Sequence, residues 1–458
     1  MNNVVAATVV ALSCVGIVHA ADVAKATLDG ELPDIGAAVA PVVVPSPEQL
    51  TFRQFMDLTE RVNGNLAAQA LNVPIAQAQL SVARVRPNPA VTAGIDTKEL
   101  LNQAPLRTPP TTYVYGLSQT IEVGGKRGAR IGVANAQLEF AKASFDGYGL
   151  DLRAAAALAY VVVLQDEQAV KVKQQSTAAL ERVALINAEK RARGAVSDLV
   201  VEQTQVELER ARNDLTAARA DYENALAASL TYIGDAYANS APPQLIGDLR
   251  QPPKEYALHD AVETALLKRP DIVAAQRAVD VAEKQVALVR ANRWQDVDVA
   301  ADIKTTSGVG TYIDDNGLPV DPTPKSHTIG ITLTVPIPIS NLQHGELTAA
   351  MLTRDQAKLQ LENTKRDARI EVMQALSAYG AARARLARFD AGIRDNARKV
   401  LDGTLYSYER GGASLLELLE ARRADADTQL EYVEALGDLA AARIQVEHVL
   451  GTWDVDFR

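Results

Sequence analysis

One break in the chain occurs twice, and the spacing of its two copies limits what the rest can fold into. Arg193-Gly194-Ala195-Val196-Ser197 and Arg410-Gly411-Gly412-Ala413-Ser414 each interrupt long proline-free runs rich in alanine, leucine and charged residues. The interval from Gly194 to Gly411, 217 residues, is also the interval from Gly234 to Gly451, where the runs after each break end. Glycine ends a helix by entering the left-handed conformation, and serine caps the helix that comes next. Each break therefore predicts the tip of a helical hairpin, and the common offset predicts one supersecondary unit built twice. Other segments repeat too: Gln79-Leu80-Ser81-Val82-Ala83-Arg84 resembles Gln285-Val286-Ala287-Leu288-Val289-Arg290, and Asp151-Leu152-Arg153 resembles Asp367-Ala368-Arg369.

The hairpins are too long for a compact domain. Lys126 to Arg191 reads as one helix, which at 1.5 Å per residue is a rod of about 100 Å. On the returning helix Leu208, Ala211, Leu215, Ala218, Tyr222, Ala225 and Ser229 alternate three and four apart, the seam of a coiled coil. An aromatic content of only 5% suits helices packed side by side. A formal net charge of -10, with no basic cluster, argues against a nucleic-acid partner.

Between the helices the periodicity changes to two. Thr328-Ile329-Gly330-Ile331-Thr332-Leu333-Thr334-Val335 alternates bulky apolar with small or polar residues, as Tyr113 to Ser118 does one repeat earlier; Val91 to Thr97 and Val297 to Ile303 supply their partners. These strands are near the roughly ten residues that cross a bilayer as tilted β-strands. Four strands cannot close a barrel and lipid tolerates no open sheet edge, so several copies must share one barrel. The alternative is a soluble sheet with one wet face.

Residues 1–20 fit a secretory leader with an apolar run from Val4 to Val18 and cleavage after Ala20. The one cysteine, Cys14, lies inside that run, where a lipid-attachment site would want leucine in place of Ala11. Residues 21–49 read as irregular. The first repeat spans 50–234, with strands within 89–123 and a helical hairpin over 126–232. A linker over 235–256, with Pro252-Pro253, leads to the second repeat, 257–451, with strands within 296–339 and a hairpin over 345–450; 452–458 is a tail. Leu50 to Arg86 is expected to be helical with a break at Asn63-Gly64-Asn65 and a kink at Pro74, and its copy, Ala257 to Arg293, to break at Pro270.

Nothing in the chain points to covalent chemistry. There is no nucleophile motif, Gly124-Gly125-Lys126 lacks phosphate-loop spacing, and His259, His327, His344 and His448 are too scattered to ligate one metal. No enzyme, cofactor or resident metal is expected.

The order of elements, repeated once after a leader, resembles the outer membrane factor (TolC-like) family over Leu50 to Gly451. Ser118-Gln119-Thr120-Ile121-Glu122-Val123-Gly124-Gly125-Lys126-Arg127 and Pro87-Asn88-Pro89 are similar to its cobalt-zinc-cadmium efflux branch. The resemblance implies a mixed α and β fold: a homotrimer giving four strands per protomer to one transmembrane β-barrel in the Gram-negative outer membrane, continuous with a periplasmic α-helical barrel. It implies a passive exit duct working with a periplasmic adaptor and a proton-driven inner-membrane pump of the resistance-nodulation-division class. Adaptor contact then maps onto Gly194, Ser197, Gly411, Gly412 and Ser414, and the gate onto Tyr408, Glu417 and Glu420. The family's gate arginine falls on Ala413, which leaves Arg410 as a substitute.

Strand alternation adds a wall of carboxylates. If the bulky apolar residues face lipid, Asp96, Asp296, Asp298, Asp302 and Glu122 face the lumen, opposed by Lys98. Such a wall favours cations, and with the branch resemblance points to divalent heavy metals as cargo. An exit duct for organic drugs or for secreted proteins stands beside it, as does, from another class, a periplasmic structural coiled coil.

Overall fold

The computed structural model describes residues 48–97, 111–237, 241–308, 312–313, 317–322, 324–339 and 342–457. The expected leader with Cys14 and Ala20, the irregular segment up to Pro47, Lys98 and Leu101 to Pro110 lie outside them.

The chain enters through β1 (Gln49–Thr51) and three short helices, α1 (Phe52–Val62), α2 (Gly64–Ala70) and α3 (Asn72–Arg84). Thr51 starts α1 with a capping box closed by Gln54. Asn63 makes the joint, its side-chain oxygen accepting the Leu66 N–H at 2.9 Å and its amide nitrogen donating to the Tyr232 carbonyl at 3.1 Å. Pro74 interrupts the helical run as expected: Leu71, the one residue between α2 and α3, keeps helical φ and ψ of -66° and -18°, and the proline, having no N–H, cannot bond the carbonyl of Ala70 one turn back.

Strands β2 (Ala90–Thr97) and β3 (Thr111–Ile121) lead into α4 (Lys126–Ala192) and the returning α5 (Asp198–Leu230). A linker carrying β4 (Gln244–Ile246) opens the second copy: α6 (Leu258–Lys268), α7 (Pro270–Asn292), β5 (Val297–Thr306), β6 (Tyr312–Ile313), β7 (Pro319–Val320) and β8 (Ser326–Thr334). Helices α8 (His344–Arg388), α9 (Arg394–Glu409) and α10 (Leu415–Leu450) complete it. The coiled-coil seam on α5 is buried at Leu208 and Ser229 and half-buried at the five positions between.

Gly234 and Gly451 show why the duplication is structural as well as textual. Both have positive φ, 58° and 67°. A methyl group on Gly234 would lie 3.0 Å from the Val62 carbonyl, and one on Gly451 2.8 Å from the Arg269 backbone. Each glycine is seated on the joint between the short helices of its own repeat. The copies differ in how they reach it: α10 runs up to Gly451, but α5 stops at Leu230 and a turn and a 3-10 segment, Gly234–Tyr237, take over.

A second departure lies in the outgoing helices. The run from Asp367 to Arg410 is not one helix, because a wide turn over Phe389–Ile393 separates α8 from α9, with Gly392 at φ 133°. Only glycine enters that region without strain. Phe389 packs against Tyr432 with ring centroids 6.1 Å apart, and Asp390 pairs with Arg250 at 3.0 Å, which fixes the joint from both sides. Helix α4 has no such interruption.

The expected linker and tail are both part of a core. β1 and β4 pair in parallel, and the Tyr160 hydroxyl donates to the carbonyls of Leu50 and Ile246 at 3.1 and 2.6 Å. Phe52 meets the Tyr160 ring at 5.3 Å and the Phe457 ring, from the tail, at 4.9 Å. Beside them Glu447, 1% exposed, accepts hydrogen bonds from Lys254 and Tyr256 of the linker, each at 2.8 Å, and from Thr452 of the tail at 2.6 Å.

The main sheet is antiparallel in the order β2-β3-β5-β8. Its register lines Ala93, Tyr115, Ile303 and Ile329 across one face, and Val91, Leu117, Ala301 and Ile331 beside them. Thr92, Gly116, Asp302 and Gly330 line the other. On the apolar face Ile329 and Ile331 are 76% and 80% exposed, and the outer edges of β2 and β8 have no partner strand among the described residues.

Candidate functional site: the hairpin tips and the sheet face

The two tips share one hydrogen-bond pattern. Gly194 and Gly411 are left-handed, with φ of 73° and 80°. The Ala195 N–H returns to Lys190 at 2.8 Å and the Gly412 N–H to Ser407 at 2.8 Å, closing the same six-residue turn. The caps beyond the turns differ. Ser414 forms a capping box in which Glu417 accepts its N–H at 2.6 Å and its hydroxyl at 2.9 Å. Ser197 has no side-chain cap bond: the Val200 N–H goes to the Ser197 carbonyl at 3.2 Å, and valine has no carboxylate to return the bond as Glu417 does; Asp198 pairs instead with Arg191.

These contacts place the gate candidates. Hydrogen bonds from the Ser414 backbone and hydroxyl hold the Glu417 carboxyl below its ordinary range, so its charge is committed to its own helix start. Glu420 is exposed, without a hydrogen bond or ion pair among the described residues. Arg410 lays its guanidinium over the Tyr406 ring at 3.5 Å and meets no carboxylate among the described residues.

Tyr408 is 7% exposed, and its hydroxyl donates to Asn187 on α4 at 2.5 Å. Burial pushes its phenol up, keeping the proton it donates. Asn187, fully buried, donates in turn to Thr204 on α5 at 2.8 Å, and Thr204 donates to the Val200 carbonyl at 2.7 Å. Lys190 stands 4.5 Å above the Tyr408 ring and donates to its carbonyl at 3.2 Å. One polar chain thus joins α9, α4 and α5 inside an apolar cluster of Leu180, Val183, Leu208, Leu401 and Leu418. Farther along, Arg423 on α10 pairs with Glu207 on α5 at 2.5 Å. The family resemblance pointed to Tyr408; nothing in the sequence analysis pointed to Asn187 or Thr204, which the structure joins to it. Their signal is faint: polar residues on otherwise apolar seams, Thr204 four before Leu208.

On the sheet, Asp96, Asp298 and Asp302 share the polar face with Thr120, Ser118 and Thr332. The Thr120 hydroxyl donates to Asp298 at 2.5 Å. Lys304, overlooked in the sequence, lies on the same face, 3.6 Å from Asp302. The other two expected wall carboxylates sit at the strand-to-helix joints with cations of their own: Glu122 is held by Arg130 at 2.5 and 3.2 Å, and Asp296 by Lys126 at 2.7 Å. Among the described residues no cluster of three histidine, cysteine or acidic side chains is placed to hold a metal ion.

A four-stranded sheet with open edges and an exposed apolar face, set on helical hairpins whose longest helix, α4, runs about 100 Å, is the architecture of a membrane channel subunit. The chain belongs to the outer membrane efflux protein family, whose model matches residues 57–235 and 261–452. Among its relatives is the cobalt-zinc-cadmium resistance protein CzcC of Cupriavidus metallidurans, 24% identical over 91% of this chain and 94% of that protein. Similar solved structures are a membrane protein from Pseudomonas aeruginosa, with a TM-score of 0.71 and 21% identity over 87% of this chain and 93% of that one, and the Campylobacter jejuni CmeC outer membrane channel, with a TM-score of 0.70 and 18% identity over 87% of this chain and 85% of that one. The protein is an outer membrane efflux channel, a passive duct and not an enzyme.

Proposed function

We propose that three copies form one duct, with a twelve-stranded barrel in the outer membrane and a helical tunnel in the periplasm, that carries divalent heavy-metal cations outward. The observation that carries the assembly is the sheet itself. Unpaired backbone at the edges of β2 and β8 costs several kcal/mol per group in lipid, and joining β8 of one copy to β2 of the next removes both edges at once. The tips would meet a periplasmic adaptor through Gly194, Ser197, Gly411, Gly412 and Ser414, and an inner-membrane pump would supply the cargo and the energy. Tyr408, with Asn187, holds the tip shut; Glu417 and Glu420 ring its mouth, while Arg410 has no carboxylate partner among the described residues of its own chain.

Metal cargo is supported by the likeness to CzcC and by the acidic strand. Deleting the gene should lower tolerance to zinc, cobalt or cadmium at least several-fold and leave tolerance to organic drugs unchanged. The reverse pattern would move the assignment to drug export.

The lumen makes a separate prediction. With Glu122 and Asp296 neutralised by their own cations, selectivity rests on Asp96, Asp298 and Asp302, offset by Lys304. Asp298→Asn with Asp302→Asn should reduce the cation preference read from reversal potentials in a salt gradient, more at low salt, where the screening length is about 30 Å, than at 1 M, where it is about 3 Å. Asp296→Asn should have the smaller effect.

A further inference from the structure

The apolar face of the sheet does not end where the strands end. Past Thr334 the chain continues Val335-Pro336-Ile337-Pro338-Ile339, in which Val335, Ile337 and Ile339 are 50%, 78% and 86% exposed. Val335 continues the alternation of Ile331 and Leu333, so this segment extends the face that meets lipid. Val335 and Ile337 line a groove of about 870 Å³ together with Val297, also on that face, Trp294, Arg290 and Arg293.

The tryptophan is held in place by a motif to which the duct assigns no role. Gly124 has φ of 70°, and a methyl group there would lie 2.6 Å from the Trp294 Cβ and 2.8 Å from its Cγ. The Gly124-Gly125 turn therefore leaves the space that the indole occupies, and the ring remains 65% exposed at the end of the strands. Both arginines are exposed and have no ion pair or side-chain hydrogen bond among the described residues. That sets them apart at this joint, where Lys126 and Arg130 are paired with Asp296 and Glu122.

We propose that this groove is a binding site for an anionic phospholipid of the inner leaflet, its phosphate between Arg290 and Arg293 and its acyl chains along Val297, Val335 and Ile337. Trp294 lies at the level of the headgroup, where an amphipathic ring is most stable. The inference rests on the barrel reading. In the proposed assembly a second copy joins in the plane of the sheet at the edges of β2 and β8, whereas Val297 of the groove belongs to β5, an inner strand between β3 and β8. Charge complementarity selects an anion: two unpaired arginines stand beside an apolar channel in a chain of net charge -10, and basic pockets at a membrane surface take anionic headgroups.

The test uses the full chain in phosphatidylethanolamine vesicles with a minor fraction of brominated phosphatidylglycerol, in a Trp453→Phe background that leaves Trp294 as the fluorophore; the sequence holds two tryptophans. Quenching of Trp294 should exceed that from the same fraction of brominated phosphatidylethanolamine. Arg290→Gln with Arg293→Gln, both exposed positions, should abolish the excess, which is expected to be about fivefold per arginine. Equal quenching by the two lipids, or an excess that survives in the double variant of a trimeric, vesicle-inserted chain, overturns the lipid site and leaves the barrel standing. Relief of quenching by millimolar inorganic phosphate overturns it too, since the pocket would then be one for any small anion. A chain that stays monomeric and outside the vesicles overturns the barrel and the lipid site together.

Discussion

Tyr408→Phe should turn a closed duct into a leaky one. The substitution keeps the ring, its burial and its contact with Lys190, but leaves the Asn187 side-chain oxygen, in a fully buried amide, without its donor. An unsatisfied buried acceptor costs about 1–3 kcal/mol, which shifts a closed-to-open equilibrium about 5- to 150-fold. Single-channel recordings in planar bilayers should show more frequent openings, and Asn187→Ala should act in the same direction. The fitting control is Tyr406→Phe, because Tyr406 is 59% exposed and serves Arg410 through its ring face. If Tyr408→Phe and Tyr406→Phe behave alike, the buried bond does not hold the tip.

The largest loss of local stability should come from Glu447. Its carboxylate is the shared acceptor for the linker, through Lys254 and Tyr256, and for the tail, through Thr452. Burial alone would raise its pKa, yet the hydrogen bonds from Lys254, Thr452 and Tyr256 outweigh burial and hold it below the ordinary glutamate value. A lowered folded pKa means that its stabilisation is fully present above the unfolded value of about 4.3 and is lost as pH falls through the lower folded value. Glu447→Leu should cost about 3 kcal/mol, the low end for breaking a buried pair, because Lys254 is 39% exposed and can turn to water. Hydrogen exchange over residues 250–257 and 452–457 should then accelerate about a hundredfold, with the hairpin tips unaffected. Glu447→Gln, which keeps an acceptor and removes the charge, should fall between. Uniform acceleration along the chain would mean that this cluster is not a local anchor.

The features legible in the sequence are those written locally and periodically. The tip glycines, the alternation in β8 and the seam on α5 each depend on residues a few positions apart, and each copy supports the other. Contacts between distant residues were not legible. Tyr408 and Asn187 are 221 residues apart, and no pattern near either names the other. Glu122 and Asp296 read as lumen charges because strand alternation carries no information about residues beyond a strand's end; the first turns of α4 supply Lys126 and Arg130, which neutralise them. The joint at Gly392 was missed for a different reason. A glycine inside a helical run usually costs only about 1 kcal/mol and leaves the helix intact, so Gly392 gave no warning beyond that of Gly380 or Gly403, and both of those lie within helices.

Gly392 has a mechanical consequence. In the proposed trimer the tunnel wall is built from six staves of nearly the same sequence pattern, but only every second one is jointed. The unjointed staves can tilt only as rigid beams, whereas a jointed stave can swing its lower segment about φ of one residue while its upper segment stays fixed. A rim made of alternating beams and levers cannot dilate as a circle. In that assembly it would open as a triangle whose corners are the levers, the repeat supplying the ring and the difference between its two copies the direction of travel.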